Sequence, residues 1–380
     1  MNSTLNDRYR IAFFVSSHGF GHAARACAVM DALLDLDSTI GFEIFTTIPK
    51  WFFEASLLKP FTYHHILTDI GLVQQTPFRE DLPCTLVQQT PFREDLPCTL
   101  KRLEGFYPLN KKQIETTARM LSETGCGLIV CDISPMGIAV GRVLGITSVL
   151  IENFTWDWIY EAYTATHPGF EFYVQYLKEL FEDADHHIQT EPVCRYKKAD
   201  LLLPPISRKP RLPKENLLKD LKITDGSPVV MITMGGVPQQ YDIHNELREH
   251  KHFTFLISGA SHSFQRIDNV LVLPFRSDYY HPDLIHASDV VIGKAGYSTV
   301  AEVYDAGIPF VFVKRPTFRE SETVATFVRK HMPAMDISES QFEDGVWLPH
   351  LQNLLKSKRV HRTAKPGARQ AAEFIYSLLA

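Results

Sequence analysis

"GKAGYSTVAEVYDAGIPFVFV", Gly293–Val313, is the stretch on which the fold turns. It continues the apolar run Val290–Ile292, bends through Gly293 and Gly296, enters a helical pattern and returns to the apolar run Phe310–Val313. A strand that ends in glycines and opens a helix leaves unpaired N–H groups and the positive end of the helix dipole facing outward, which suits a phosphate. Ser298 and Thr299 add hydroxyls there, and Lys294 adds a positive charge. Glu302 stands three residues after Thr299, so the pair matches a capping box. A carboxylate at that place also suits the hydroxyls of a sugar, and both readings stand.

The same grammar opens the chain. In "FFVSSHGFGHAARACAVM", Phe13–Met30, a β-type run from Ile11 meets Gly19 and Gly21. Beyond His22, Ala26, Val29, Met30, Leu33 and Leu34 recur at helical spacing. A loop at the carboxyl end of a strand is where open α/β sheets bind ligands, and this one carries His18, His22 and Arg25. "MGGVPQQ", Met234–Gln240, is a third glycine turn, where Gly235 and Gly236 would let backbone N–H groups approach a phosphate; as a plain turn it would be unremarkable.

Working outward, β and α patterns alternate. Strands are expected at 11–16, 42–46, 63–68, 128–132, 148–152 and 187–189, with helices between them, for example at 22–36, 111–123 and 136–143. Such alternation implies a mostly parallel sheet covered on both faces. Prolines and basic residues in "LLLPPISRKPRLP" mark a linker at 204–213. A second series follows, with strands at 229–234, 253–258, 270–274, 290–292 and 310–313 and a last helix at 371–379. The expected domains are 1–205, 206–366 and a C-terminal helix, 367–380, that packs back on the first domain.

Composition narrows the function. The 380 residues have a formal net charge of −5 and no long basic run, which argues against nucleic acid as the main partner. The one basic cluster, 356–365, reads as a solvated loop, with contact to an anionic membrane surface as the lesser reading. No stretch has the length of a membrane span and the N-terminus lacks a signal-peptide core, so a cytoplasmic protein is expected. The six cysteines show no metal spacing and are expected to be reduced. Asp35/Asp37 and Asp183/Asp185 fall near helix ends, and His64/His65 and His186/His187 would point to opposite faces of a strand, so no metal site is expected. No dinucleotide or Walker motif supports NAD or ATP chemistry. "LVQQTPFREDLPCT" occurs twice in tandem, at Leu72–Thr85 and Leu86–Thr99, and one copy is expected to bulge idly into solvent.

The pieces together resemble the GT-B superfamily of nucleotide-sugar glycosyltransferases, in which two Rossmann-like domains face each other across a cleft. The second half is similar to a family 28 donor domain. The loop "SHGFGHA" (Ser17–Ala23), "NFTWDWIY" (Asn153–Tyr160), "DYYHPDLIHASDVVIGKAGYSTVAE" (Asp278–Glu302) and "GVWLPHLQNLL" (Gly345–Leu355) resemble the glycosyltransferase-like N-terminal region of plant arabinokinases and related bacterial stand-alone proteins. The resemblance covers nearly the whole chain apart from one repeat copy.

It implies that the second domain holds a nucleotide diphosphate sugar, uridine-linked, as a co-substrate with no other cofactor. Glu302 would bond the ribose, and Gly296, Ser298 and Thr299 would lie under the pyrophosphate. Lys294 matches a basic residue of the family motif, and Gly235 and Gly236 would face the phosphates from the other side. Phe275 would lie against the base with its backbone reading the uracil edge, and Glu320 would touch the donor sugar. GT-B enzymes neutralise the leaving diphosphate without a bound metal.

The "GFGH" loop also looks like that of a GT-B nucleotide-sugar hydrolase in which the matching histidine activates water. His22 is therefore the catalytic candidate, since an imidazole takes a proton near neutrality. Asp132, ending a strand, would orient it or bind acceptor hydroxyls. His18, Gly19, Gly21, Arg25, Trp156 and Asp157 would line the acceptor side, with tryptophan faces suited to sugar rings. The expected activity is metal-independent transfer of a sugar to an acceptor hydroxyl. Hydrolysis or epimerisation of the nucleotide sugar, and a non-catalytic sugar-nucleotide-binding module, are the alternatives.

Overall fold

A computed structural model of the chain describes residues 7–73, 94–234, 244–314 and 318–379. The chain forms two compact units. Unit 1 comprises Met1–Ile206, Thr317–Glu320 and Lys365–Ala380, and unit 2 comprises Ser207–Pro316 and Ser321–Ala364.

Unit 1 is built on β1 (Arg10–Val15), β2 (Gly41–Thr46), β3 (Thr62–His65), β4 (Leu128–Asp132), β5 (Thr147–Glu152), β6 (His186–Thr190) and β7 (Leu201–Leu203). Their order in the sheet is β3-β2-β1-β4-β5-β6-β7, and every pairing is parallel. A parallel sheet needs cover on both faces, and β1 shows how the sequence provides it. Ile11, Phe13 and Val15 share a buried cluster with the helix Phe20–Leu34 and with Ala368, Ala371 and Ile375 of the C-terminal helix Gly367–Ser377. The alternate residues Ala12 and Phe14 enter a second cluster with the helix Pro135–Leu144 and the helix Glu171–Glu182. Phe14 stacks on Phe45 with ring centroids 4.5 Å apart. Gly367 admits the last helix, because a Cβ there would lie 2.3 Å from the Pro204 carbonyl oxygen.

Unit 2 repeats the plan with β8 (Val229–Thr233), β9 (Thr254–Ser261), β10 (Gln265–Ile267), β11 (Val270–Pro274), β12 (Val290–Lys294), β13 (Phe310–Val313) and β14 (Ala334–Ile337). The order is β10-β11-β9-β8-β12-β13-β14, with only the β10–β11 pair antiparallel. Gly293 is dictated by close approach: a Cβ would meet the Thr233 carbonyl oxygen of the neighbouring strand at 2.2 Å.

In each sheet the winding reverses once, between β1 and β4 in unit 1 and between β8 and β12 in unit 2. A crevice forms at such a switch point, outside the carboxyl ends of the strands. The histidine loop follows β1, and the turn at Ala295 and Gly296 follows β12.

Several expected elements shift. The strand expected at 63–68 stops at His65, and the chain leaves the sheet so that the Thr68 hydroxyl donates to the Val15 carbonyl at 3.1 Å. Strands β7, β10 and β14 have three or four residues each, too few for a readable period. The break between the two units falls after Ile206, inside the expected 204–213 linker, and Arg208 within that stretch is buried, with 8% exposure. The tandem repeat falls largely outside the described residues. Its first two and last few residues meet, with Asp95 N–H donating to the Val73 carbonyl at 2.8 Å and Val73 N–H to Thr99 Oγ1 at 2.9 Å. Among the described residues no helix is long and apolar enough to cross a membrane.

Candidate active site

At the unit 1 switch point, Gly19 adopts φ +86°, a left-handed conformation that favours glycine, and the helix Phe20–Leu34 begins with no side-chain cap and no acidic residue in its first turn. Its first turn carries His22. Across the switch, β4 ends at Asp132, and the next residue, Ile133, is held at φ +53° although it is β-branched and fully buried. That conformation costs about 1–3 kcal/mol and persists only where the surroundings over-determine it.

The two loop ends meet in a buried polar network. His22 Nδ1 lies 2.9 Å from Asp132 Oδ1. Arg25, one turn along the helix, donates Nε to Asp132 Oδ2 and Nη2 to Oδ1, each at 2.7 Å. Its Nη1 donates to Asn153 Oδ1 at 2.8 Å, and Asn153 Nδ2 donates to Glu320 Oε1 at 2.8 Å. Burial raises the Asp132 carboxyl, but the charge and hydrogen bonds of Arg25 and His22 outweigh it and hold it below the ordinary carboxylate value. An ionised Asp132 only accepts, so neutral His22 carries its proton on Nδ1 and presents the Nε2 lone pair.

A second carboxylate lies beside the dyad. Asp69, buried, accepts from Trp156 Nε1 at 2.8 Å and from Ser17 N–H at 3.4 Å. Burial raises its carboxyl above the ordinary value. Sequence reading missed Asp69; the departure of "HHILTDIG" from a strand pattern at Thr68 was the available signal. His18 packs edge-on against Trp156 at 5.0 Å and parallel to Phe318 at 6.0 Å. It lies so close to Gly71 that a Cβ there would meet its ring at 2.6 Å.

This placement revises several expectations. Trp156 is fully buried and serves as a wall beneath the dyad, so its face is not open to a sugar ring. Arg25, 1% exposed, grips Asp132 in place of lining the acceptor side. Asp157 is also buried, and its Oδ1 has no hydrogen-bond partner among the described residues. Glu320 belongs to unit 1, and its carboxylate accepts from Asn153. Gly21 sits in the first helical turn beside His22.

In unit 2, the helix Tyr297–Ala306 starts at Gly296 with no side-chain cap. The capping box does not form: Thr299 lies inside the helix, and Glu302 points elsewhere. Glu302 Oε1 accepts from Arg208 Nε at 2.9 Å and Nη2 at 2.8 Å, and Oε2 lies 2.8 Å from His281 Nδ1. His281 Nε2 in turn lies 3.2 Å from Thr233 Oγ1. Burial raises the Glu302 carboxyl, yet Arg208 and His281 hold it down at about 2. Among the described residues, a Cβ at Gly296 would meet Lys294 Cε at 3.9 Å, an ordinary contact. Ser298 and Lys294 are half-buried, and Thr299 is buried. Phe275 N–H donates to the Ser261 carbonyl at 3.2 Å, so that half of its backbone is engaged within the sheet. Gly235 and Gly236 lie outside the described residues.

No group of three or more His, Cys, Asp or Glu side chains is placed to share a metal among the described residues. The five described cysteines form no disulfide with one another. Burial pushes the Cys126 thiol up to about 11 and Cys131 higher still, so both stay protonated and inert.

Residues 234–375 match the Glycosyltransferase family 28 C-terminal domain. An L-arabinokinase of Arabidopsis thaliana is 26% identical over 96% of the chain, which spans only 34% of that protein's length. The UDP-N-acetylglucosamine–N-acetylmuramyl-(pentapeptide) pyrophosphoryl-undecaprenol N-acetylglucosamine transferase of Bacillus subtilis is 23% identical over 67% of the chain and 72% of its own. Among solved structures, Acinetobacter baumannii MurG superposes with a TM-score of 0.56 at 14% identity, covering 97% of this chain and 99% of that one. A UDP-glucosyltransferase from Polygonum tinctorium superposes with a TM-score of 0.60 at 12% identity, covering 98% of each. With two doubly wound sheets of this order, the chain has the GT-B fold of these solved structures, and its residues 234–375 are similar to a family 28 C-terminal domain.

Proposed function

We propose that the protein is a glycosyltransferase that moves a sugar from a nucleotide diphosphate sugar, UDP-linked, to an acceptor hydroxyl in the cytoplasm. The observation that carries this reading is the 2.9 Å His22–Asp132 pair at the unit 1 switch point, in a chain whose second half matches a family 28 domain. His22 Nε2 takes the acceptor's proton, the acceptor oxygen attacks the anomeric carbon, and the nucleoside diphosphate leaves with the bonding pair. Asp132, held in place by Arg25, keeps the imidazole in the required tautomer and stabilises the imidazolium that forms. In unit 2, the uncapped helix start at Gly296, the Ser298 hydroxyl and Lys294 offer donors and positive charge to the diphosphate. No metal is needed for that neutralisation. Glu302 is already tied to Arg208 and His281, so its contribution is to shape the ribose pocket.

A second reading is favoured by one observation: almost the whole chain aligns with an arabinokinase three times its length. In that case the protein is a sugar-nucleotide-binding module. The deciding experiment incubates the purified protein with a panel of UDP-, GDP- and dTDP-sugars, with and without cell extract, and identifies products by mass spectrometry. Sugar transfer that needs extract and is lost in His22→Ala supports the transferase. Free sugar released by water alone makes the protein a hydrolase. A rearranged sugar without net cleavage makes it an epimerase. Donor binding with no turnover under any condition leaves the module.

A further inference from the structure

The arrangement that holds His22 has a counterpart in unit 2. There Glu302 stands where Asp132 does, Arg208 where Arg25 does and His281 where His22 does. Arg208 donates both Nε and Nη2 to Glu302 Oε1, and His281 Nδ1 lies 2.8 Å from Glu302 Oε2. The carboxylate and the guanidinium are buried, with 2% and 8% of their side chains exposed, whereas the His281 side chain is 27% exposed. An arriving molecule therefore meets the imidazole before it meets the carboxylate. The ring sits at the unit 2 switch point. Its Nε2 lies 3.2 Å from Oγ1 of Thr233, the last residue of β8, and Glu302 belongs to the helix that follows β12. The helix His281–Ala287 is pinned from its start: Asp283 Oδ1 accepts from the N–H groups of Arg211 and Leu212, and the Arg211 guanidinium lies 4.1 Å from the centroid of the Tyr280 ring.

The chemistry of the exposed ring follows from its buried partner. Ionised Glu302 only accepts, so neutral His281 carries its proton on Nδ1 and presents a lone pair at Nε2. The Thr233 contact is long for a hydroxyl donor, for which about 2.7–2.8 Å is usual, so a ligand hydroxyl can displace it. An ionised diphosphate has no proton to give to that lone pair, whereas a hydroxyl has.

We propose that His281 reads a ribose hydroxyl of the donor nucleotide, accepting its hydrogen bond at Nε2, and that Glu302 is the positioning residue that fixes the ring. The inference rests on the nucleotide-sugar reading above, and it moves the ribose contact off Glu302, where family resemblance puts it. Two features single out the ribose. It adjoins the diphosphate, and Glu302 lies less than two turns beyond the helix start at Gly296 that faces the diphosphate in that reading. The transferred sugar departs with the acceptor, while the ribose stays on unit 2 throughout. Such a site selects ribonucleotides, because a deoxy analogue offers the lone pair no proton.

Calorimetric titration of the full chain at neutral pH tests this with UDP or, if the wild type prefers it, GDP, and with the 2′-deoxy and 3′-deoxy analogues of the same nucleotide. The wild type is expected to bind the ribonucleotide about 5–20-fold more tightly than at least one analogue. His281→Phe keeps a ring and removes the acceptor. It is expected to weaken the ribonucleotide alone and bring that ratio below about threefold. His281→Gln, whose amide oxygen can take the place of Nε2, is expected to retain part of the ratio. A histidine that merely braces Glu302 gives another result: His281→Phe weakens ribonucleotide and analogue together and the ratio survives, which overturns the proposal. Equal binding of all three by the wild type also overturns it and leaves the nucleotide-sugar reading standing. A wild type that binds none of UDP, GDP and dTDP overturns that reading and this inference with it. Should His281→Phe prove unfolded by circular dichroism, histidine ¹⁵N NMR of the wild type decides, with His281→Gln assigning the signal. The ribonucleotide should shift Nε2 of His281 in its Nδ1–H tautomer and the discriminated analogue should not; an unmoved signal overturns the proposal.

Discussion

Arg25 holds Asp132 with two parallel hydrogen bonds of 2.7 Å, and the same carboxylate meets His22 Nδ1 at 2.9 Å. One buried anion thus answers a permanent cation and a titratable ring together. If Asp132 sets the tautomer, replacing it should cost activity through His22. Asp132→Asn can offer an N–H to Nδ1 and drive the proton to Nε2, where the lone pair is needed. We expect kcat to fall by roughly 10²–10⁴-fold in both His22→Ala and Asp132→Asn. Stability should separate them. Asp132→Asn replaces the buried carboxylate that takes two Arg25 hydrogen bonds with a neutral amide and should lose about 3 kcal/mol in denaturant unfolding, whereas His22→Ala should lose much less. Equal stability losses would count against the paired-charge account.

Acid should loosen unit 2 through Glu302. Its folded carboxyl lies at about 2, against an ordinary value of 4.5. A depressed folded value means that the unfolded chain binds more protons between these limits, so stability is present above about 4.5 and is lost as pH falls toward 2. The buried pairing with Arg208 and His281 is worth about 3 kcal/mol at neutral pH on this basis. Urea unfolding followed from pH 7 to pH 2.5 should show that loss in the wild type and a flatter profile in Glu302→Gln. Parallel profiles would place the acid sensitivity elsewhere.

Gly71 supports His18 by having no side chain. A Cβ would meet the imidazole at 2.6 Å, and His18 in turn packs edge-on against Trp156. Gly71→Ala should displace the ring, destabilise the protein by about 1–3 kcal/mol and change the tryptophan emission. An unchanged melting temperature and spectrum would mean that the ring swings aside at no cost.

The tandem repeat should be removable. Because Val73 already bonds Asp95 and Thr99, deleting one fourteen-residue copy leaves the joined ends able to make the same contacts. A shorter chain segment between Val73 and Asp95 costs roughly 1 kcal/mol less to close. The deletion variant should therefore melt slightly higher with turnover intact. A large loss of turnover would show that the second copy takes part in the site.

Much of this molecule could be read along the chain. The runs at Ile11, Leu128, Val229, Val270 and Phe310 announced parallel strands, because strands buried on both faces must be apolar throughout. Glycines at 19 and 296 marked the turns where helices open, and a residue at the carboxyl end of a strand is bound to lie at the ligand-binding edge. The position of His22 and Asp132 at that edge was legible for that reason. Local pattern could not say which partners the side chains take. Arg208 reaches Glu302 across 94 residues of sequence, and Asn153 reaches Glu320 across 167. Trp156 looked like a sugar platform and became a buried wall, because a helix laid its face against His18 and Asp69 and away from solvent. Periodicity fixes which face a residue occupies. Strand order and helix packing decide what stands opposite it, and a buried charge takes its role from that neighbour.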